Sequence, residues 1–309
     1  MFTRVTTPGN YSSVLANLLS AQQRQLDAGN RVATQRNGSN LKEYAPDAEL
    51  LSAMRTVQTR LGAFEEQGKL LTDKLATQNT ALVRVADAAQ TIRQVFTDAL
   101  ASGRVDTLVE DVEAQLRNAA EGMNARYGGK YLFSGGQVDT RPLDLTALSN
   151  LNPPAVVADF FQNDQFRVKA KLDEATTITT GFLASEIGTD MLDALQAFQV
   201  FNTGPNGPFE GAMTDAQKTF LEGQLAAWDD VRASVTLKAA QNGTNQKRLE
   251  TVGDDLESRQ NALAGMIGGI TDADMAKAAA DLQTAQLSVQ SAAYVFQALR
   301  DSSLLNILK

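Results

Sequence analysis

The sequence predicts a mainly α chain with a small β-containing insertion, in which the N- and C-terminal helices form a long coiled-coil rod. Three observations predict this. From Leu50 to Ala99, alternate steps of four and three meet Leu50, Met54, Val57, Leu61, Phe64, Gly68, Leu71, Leu75, Gln78, Leu82, Val85, Ala89, Ile92, Phe96 and Ala99, and only Gly68 and Gln78 break the apolar run. The same spacing returns near both ends of the chain. Between the helical stretches lies one region of glycine pairs, prolines and strict alternation. A 3.5-residue apolar period puts one stripe on one side of a helix, whereas strand side chains alternate with period two. At about 1.5 Å per residue the Leu50–Ala99 helix runs roughly 70 Å, so it needs partners along most of its seam.

In chain order, Pro8-Gly9-Asn10 is turn chemistry and Ser12 or Ser13 is placed to cap a first helix. Tyr11, Val14, Leu18, Ala21, Gln25, Ala28 and Val32 carry its period, with Leu15, Leu19 and Leu26 widening the stripe and an end expected at Gly29 or shortly after. Arg36 to Pro46 reads as a loop, and Pro46 with Asp47 suits the first turn of the long helix. Ser102-Gly103 predicts a turn, after which Val105, Leu108, Val112, Leu116, Ala119 and Met123 restart the period to about Arg126. A short connection favours an antiparallel pair.

The run Tyr127-Gly128-Gly129-Lys130-Tyr131-Leu132-Phe133-Ser134-Gly135-Gly136 changes the composition, and Pro142, Pro153 and Pro154 exclude a continuing helix. Phe166, Val168, Ala170 and Leu172 alternate with Arg167, Lys169 and Lys171, predicting a half-buried strand that turns at Asp173-Glu174 into a second, Ala175 to Leu183. These glycines do not fit a phosphate-binding loop, because no matching lysine and no strand–helix context accompany them. Asp190 to Phe201 reads as a short helix ended by Gly204-Pro205-Asn206-Gly207-Pro208. A further helix opens at Thr214 and is expected to be interrupted at Asn242-Gly243, with Leu249, Val252, Leu256, Leu263, Met266 and Ile270 resuming the seam. In the last helix Met275, Ala278, Leu282, Ala285, Val289, Ala292, Phe296 and Leu299 keep the period throughout.

These elements suggest three parts: residues 1–45 with 271–309 as a terminal coiled-coil assembly domain, 46–126 with 188–270 as a helical rod, and 127–187 as a small outer β-containing domain. Composition narrows the chemistry. The 309 residues include no cysteine and no histidine, which removes thiolate nucleophiles, imidazole acid-base chemistry and the common zinc sites. We expect no enzyme activity, no cofactor and no metal. The net charge of −8 argues against nucleic acid or an anionic membrane as partner. No apolar segment follows Arg4 as in a signal peptide, so an exported product is expected to keep its N-terminus. Leu282 to Leu299 is uncharged apart from its ends' neighbours but rich in glutamine, serine and threonine, which argues against a membrane span.

Residues Val5 to Gln23 carry no charge, and between Met275 and Leu299 only Lys277 and Asp281 do. Two such helices can bury more surface than they can cover for each other, which implies neighbouring copies in a polymer or ring.

Three motifs stand in a definite order: Gly29-Asn30-Arg31-Val32 after the first helix, Tyr131-Leu132-Phe133-Ser134-Gly135 after the third, and Asp272-Ala273-Asp274-Met275-Ala276 leading to a helix that closes with Ser303-Leu304-Leu305-Asn306-Ile307-Leu308. In these the chain resembles the flagellin superfamily and, within it, the hook-filament junction branch of hook-associated protein 3. Flagellins usually carry an Asn-Gly centred motif where Tyr131-Leu132-Phe133-Ser134-Gly135 stands. The family's Asp-Asp-Pro element is replaced here by Asn37-Gly38-Ser39-Asn40-Leu41-Lys42-Glu43-Tyr44. The resemblance implies a structural, extracellular component of the bacterial flagellum, exported by the flagellar type III system. It would sit at the hook-filament junction, with itself, a neighbouring hook-associated protein, flagellin and an export chaperone as partners. Tyr11, Leu15, Leu18, Leu282, Val289, Phe296 and Leu299 are then the candidate self-assembly residues, with ordinary intramolecular packing as the other reading. The alternatives are a flagellin filament subunit and a cytoplasmic coiled-coil binding module. A glycan hydrolase using carboxylates such as Asp159 and Asp164 is the remote one.

Overall fold

The computed structural model describes the backbone over residues 7–305 and side chains over residues 12–300. It is mainly helical: α1 (Thr7–Thr34), α2 (Ala48–Ser102), α3 (Leu108–Met123), α4 (Ala184–Thr203), α5 (Asp215–Thr271) and α6 (Met275–Leu305). Four short strands form two hairpins, β1 (Arg126–Tyr127) with β2 (Lys130–Tyr131) and β3 (Lys169–Lys171) with β4 (Thr177–Thr179). The chain divides into two compact units, Met1–Arg60 with Ser258–Lys309, and Leu61–Glu257.

In the second unit the predicted α2 stripe is the core. Leu61, Leu75, Gln78, Leu82, Val85, Ala89, Ile92, Phe96 and Ala99 are all buried. Opposite them α5 offers Leu221, Trp228, Val235, Asn242, Leu249 and Leu256, buried at a seven-residue repeat. A seven-residue repeat keeps two long helices in register, because every two turns return the same position to the seam. Aromatic rings close one end of this seam. Phe96 lies edge-on to Trp228 with centroids 6.1 Å apart and stacks on Phe198 of α4 at 5.5 Å. Phe198 in turn stacks on Phe209 at 4.9 Å.

The short α3 runs back along α2 as expected. Gly122 permits the approach, since a Cβ there would lie 2.8 Å from Val85 Cγ2 and 3.0 Å from the Ala81 carbonyl oxygen. Arg84 of α2 and Glu121 of α3 form an exposed ion pair at 2.8 Å beside it.

Several expectations need correction. Asn242-Gly243 does not interrupt α5, which is one helix of 57 residues. The asparagine points into the seam, fully buried, and its Nδ2 donates to the Leu75 carbonyl at 2.8 Å. An isolated Asn-Gly pair is a turn signal only when no partner supplies the burial that a continuing helix gains. The α1 helix passes through Gly29 and ends shortly after it, at Thr34. At the start of α2 the buried residue is Leu51, not Leu50, which is half-exposed.

The strands are shorter than the alternation suggests. Only 169–171 and 177–179 pair, joined by a turn in which Asp173 Oδ1 accepts from the Ala175 N–H at 2.7 Å. Ala170 and Ile178 face inward with Leu172, packing on Leu75 and Leu249. Most of 132–168 is irregular, yet it buries Leu143, Leu145, Leu148, Leu151 and Val157 in the same core cluster as α4. Gln78, the polar break in the stripe, is satisfied there: its Nε2 donates to the Thr180 carbonyl at 3.0 Å.

Truncating Phe96 removes the ring that bridges Trp228 and Phe198. Phe96→Ala is expected to lower the stability of this unit by about 3–5 kcal/mol in denaturant titration; a loss under about 1 kcal/mol would mean that the aromatic cluster is dispensable.

Candidate assembly surface

The first unit pairs α1 with α6. Its seam is lined by small residues: Ala21 and Ala28 on α1, Ala278 and Ala285 on α6, each pair seven apart and all buried. A Cβ at Gly29 would reach within 3.9 Å of Leu282 Cδ1. Small side chains let two helix backbones approach closely, which leaves larger apolar residues on the flanks of the seam.

The candidate self-assembly residues divide accordingly. Leu18, Leu282, Val289, Phe296 and Leu299 are half-buried on those flanks, within the helix pair of a single chain. Leu15 is exposed, at 39%. The Tyr11 side chain lies outside the described residues, as do the side chains of Ser303, Leu304 and Leu305 and all of 306–308. A second stripe is the one turned to solvent; on α1 it falls on residues read from the sequence as a widening of the first, and on α6 the sequence reading did not mark it. On α1 it comprises Leu19 and Leu26, 58% and 63% exposed, and on α6 Leu287, Tyr294 and Val295, 64%, 73% and 51% exposed. The seven-residue spacing of Leu19 to Leu26 and of Leu287 to Tyr294 could have revealed it, since each pair repeats one heptad position.

A hydrogen-bonded tether joins the end of α1 to the α5–α6 corner. Gln35 adopts the left-handed region, φ 58°, and turns the chain so that Arg36 bridges Asp272. The Gln35 carbonyl accepts from the Ala273 N–H at 2.9 Å, and the Asn37 N–H donates to the Thr271 carbonyl at 2.8 Å. Asn37 Nδ2 donates to the Asp272 carbonyl at 2.9 Å. Tyr44, buried, completes the tether: its hydroxyl accepts from the Gly38 N–H at 2.9 Å and donates to the Gly38 carbonyl at 2.8 Å. Only glycine fits at 38, since a Cβ would lie 2.6 Å from Glu43 Cβ. The loop that departs from the family's acidic element therefore makes its own contacts, through Asn37, Gly38 and Tyr44. A polar cleft of about 520 Å³ lies beside the tether, with Arg31, Arg36, Asp27 and Glu43 among its walls.

No reactive constellation emerges among the described residues. No cluster of three or more His, Cys, Asp or Glu suited to a metal is found, and no helix is long and apolar enough to cross a membrane. Asp164 is engaged structurally: Oδ1 accepts from the Gly136 N–H at 2.9 Å and the Phe166 N–H at 2.8 Å. Those two donors hold its carboxyl below the usual range. The same bonds explain Tyr131-Leu132-Phe133-Ser134-Gly135, whose Leu132, Phe133 and Ser134 are buried while Gly135, at φ 72°, turns the chain against Asp164.

Comparison with known proteins agrees with this geometry. Residues 225–308 match the family of the bacterial flagellin C-terminal helical region. The chain is 22% identical to a flagellin of Brucella melitensis biotype 1 over 291 residues, 93% of this chain and 91% of that protein. Among solved structures, a protein of Vibrio parahaemolyticus described as flagellar hook-associated superposes with a TM-score of 0.59 at 15% identity, covering 72% of this chain and 96% of that one. FlgL of Bacillus cereus superposes at 0.52 with 14% identity, covering 71% and 99%. The two superpositions establish a shared fold.

Tyr44→Phe strands the buried Gly38 N–H. It is expected to cost about 1–3 kcal/mol locally and to speed amide exchange at Gly38 and Ala273, measured by NMR; unchanged exchange would show that the tether does not depend on the hydroxyl. For Asp164 the folded pKa is depressed, so its stabilisation is full above the ordinary aspartate pKa of about 3.9 and is lost as pH falls through the folded value. The stability gap between wild type and Asp164→Asn should therefore shrink on acidification from neutral pH, and a constant gap would contradict this.

Proposed function

We propose that the chain is a structural, non-enzymatic component of the bacterial flagellum that assembles through its terminal helices. The observation that carries this reading is the α1–α6 pair, which leaves Leu19, Leu26, Leu287, Tyr294 and Val295 in solvent. An uncharged face of this kind gains most from a second apolar face. Residues 1–45 with 271–309 would be the assembly domain, 46–126 with 188–270 the rod, and 127–187 the outward part.

Within that role we propose a junction protein of the hook-associated protein 3 type, exported by the flagellar type III system. Its neighbours would be a second hook-associated protein, flagellin and, before export, a chaperone. Superposition on two flagellar hook-associated folds supports this, as does Tyr131-Leu132-Phe133-Ser134-Gly135 in place of an Asn-Gly motif. A filament subunit is the second reading, favoured by similarity to a flagellin along 93% of the chain. Gold-labelled antibody on isolated flagella separates the two. A single band between hook and filament supports the junction role, labelling along the whole length a flagellin, and protein confined to the cytoplasm would overturn both.

Val289→Asp and Phe296→Asp place a carboxylate on the half-buried flanks of the α1–α6 seam, where it is partly stripped of water, and are expected to abolish incorporation into flagella. Leu19→Asp and Tyr294→Asp, on the exposed stripe, should leave the helical content of the monomer unchanged and still prevent assembly. Normal incorporation of either exposed-stripe variant, followed by immunoblotting of sheared flagella, would contradict the assignment of that stripe.

A further inference from the structure

Asparagine followed by glycine occurs three times in the chain, at 37–38, 206–207 and 242–243. Such a pair can cyclise, because glycine has no Cβ to keep its backbone nitrogen away from the asparagine side chain. The fold holds the three pairs differently. Asn242 is fully buried in the middle of α5, its Nδ2 bonded to the Leu75 carbonyl, and the helix ladder engages the Gly243 N–H. Asn37 is pinned on both sides: its Nδ2 donates to the Asp272 carbonyl at 2.9 Å, and the Gly38 N–H donates to the Tyr44 hydroxyl at 2.9 Å. In neither pair can the glycine nitrogen turn toward the side-chain carbon without breaking these contacts.

Asn206 is placed otherwise. It lies exposed in the turn between α4 and α5, and among the described residues its side-chain amide has no hydrogen-bond partner. The Gly207 N–H is held by one bond within the turn, to the Gly204 carbonyl at 3.1 Å. Packing also fixes glycine at 207, since a Cβ there would collide with the Asn202 backbone. The fold therefore requires the residue that makes this pair labile.

We propose that Asn206 is a site of spontaneous covalent modification, converted through a cyclic imide to isoaspartate and aspartate. The Gly207 nitrogen loses its proton to base and bonds to Asn206 Cγ, while the Cγ–Nδ2 bond breaks and ammonia leaves. Water then opens the imide at either carbonyl. Overall one amide and one water give one carboxylate and one ammonium ion, so no oxidant and no enzyme is needed. Opening at the backbone carbonyl routes the main chain through Cγ and lengthens it by a methylene. That change falls on a built contact: buried Gln217 donates through Nε2 to the Asn206 carbonyl at 3.5 Å and the Pro208 carbonyl at 2.9 Å, and its Oε1 accepts from the Thr214 N–H at 2.9 Å. Conversion adds a negative charge and loosens the loop that carries Phe209, whose N–H donates to Asn202 Oδ1 at 3.0 Å. The step needs no partner and does not depend on how the chain assembles.

Full-length protein is aged at mildly alkaline pH, and each asparagine is followed by peptide mass spectrometry, with electron-transfer fragmentation separating isoaspartate from aspartate. Asn206 should convert about tenfold faster than Asn37 or Asn242, since each of those must first give up a hydrogen bond worth a decade in rate. Isoaspartate should be among the products, and Asn206→Gln should remove the more acidic form on isoelectric focusing. Tyr44→Phe, which removes the acceptor of the Gly38 N–H, should speed conversion of Asn37 and leave Asn206 unchanged. Conversion first at another asparagine, or aspartate without isoaspartate at Asn206, would overturn the proposal. So would an Asn206 that stays intact in the folded chain while the urea-unfolded chain converts. In the aged protein amide exchange at Phe209 should exceed that of equally aged Asn206→Gln; equal exchange would overturn the effect on the loop.

Discussion

The structure depends on a seven-residue repeat shared by two helices. Leu75, Leu82, Ala89 and Phe96 on α2 meet Leu221, Trp228, Val235 and Leu249 on α5 in one continuous seam of the second unit. Helices of 55 and 57 residues have little independent stability in water and owe their existence to such packing. The other elements of this unit are laid against that seam. The α3 helix covers one flank through Gly122, α4 adds Phe198, and the irregular 132–168 segment buries leucines in the same core.

The terminal pair solves a different problem. Its seam is built from alanines, which allow close approach but bury little area per residue. Burial by larger side chains is therefore deferred to the flanks and to the solvent face, where Leu26, Leu287 and Tyr294 remain uncovered. A pair built this way is stable as a scaffold and incomplete as a surface. The tether at Asn37, Gly38 and Tyr44 matters in that setting, because hydrogen bonds to the 270–273 corner fix where α1 ends and α6 begins without relying on apolar burial.

Periodicity made most of this legible from the residues. Most of the α2 stripe, the α6 stripe beyond its exposed first residue Met275, and the α3 hairpin are where the spacing puts them, because burial on one face of a helix is a direct consequence of sequence. The failures share a cause: local signals overruled by tertiary partners. Asn242-Gly243 reads as a turn until Leu75 supplies a carbonyl to the asparagine. Phe166 to Leu172 reads as a seven-residue strand, but only three of those residues find a partner in β4. Leu143 to Val157 carries no period at all, so its burial could not be inferred. At the candidate surface, the spacing identified the helices and their inner stripe; the second stripe also repeats at seven residues, but which stripe faces water is fixed only by the α1–α6 pairing.

Asn242 also shows why the α2–α5 seam is held in one alignment. Apolar layers seven residues apart resemble one another, so a leucine-only seam would tolerate sliding by a heptad at modest cost. The Asn242 amide is fully buried, with Nδ2 bonded to Leu75 and Oδ1 lacking a protein partner. A half-satisfied buried amide is unfavourable compared with leucine, by roughly 1–3 kcal/mol for the open acceptor. Gln78 lies three residues along α2 from Leu75 and is bonded to Thr180, and Asn245 Nδ2 donates to the Thr179 carbonyl at 2.9 Å. These amides tie α2, α5 and the β4 strand to one another at a single level. Sliding α5 by seven residues would carry Asn245 away from the Thr179 carbonyl while Gln78 still holds the 179–180 segment to α2, so the layer favours the register observed. Stability is given up locally, and in return the hairpin that packs on Leu249 through Leu172 is held at a fixed position along the helices.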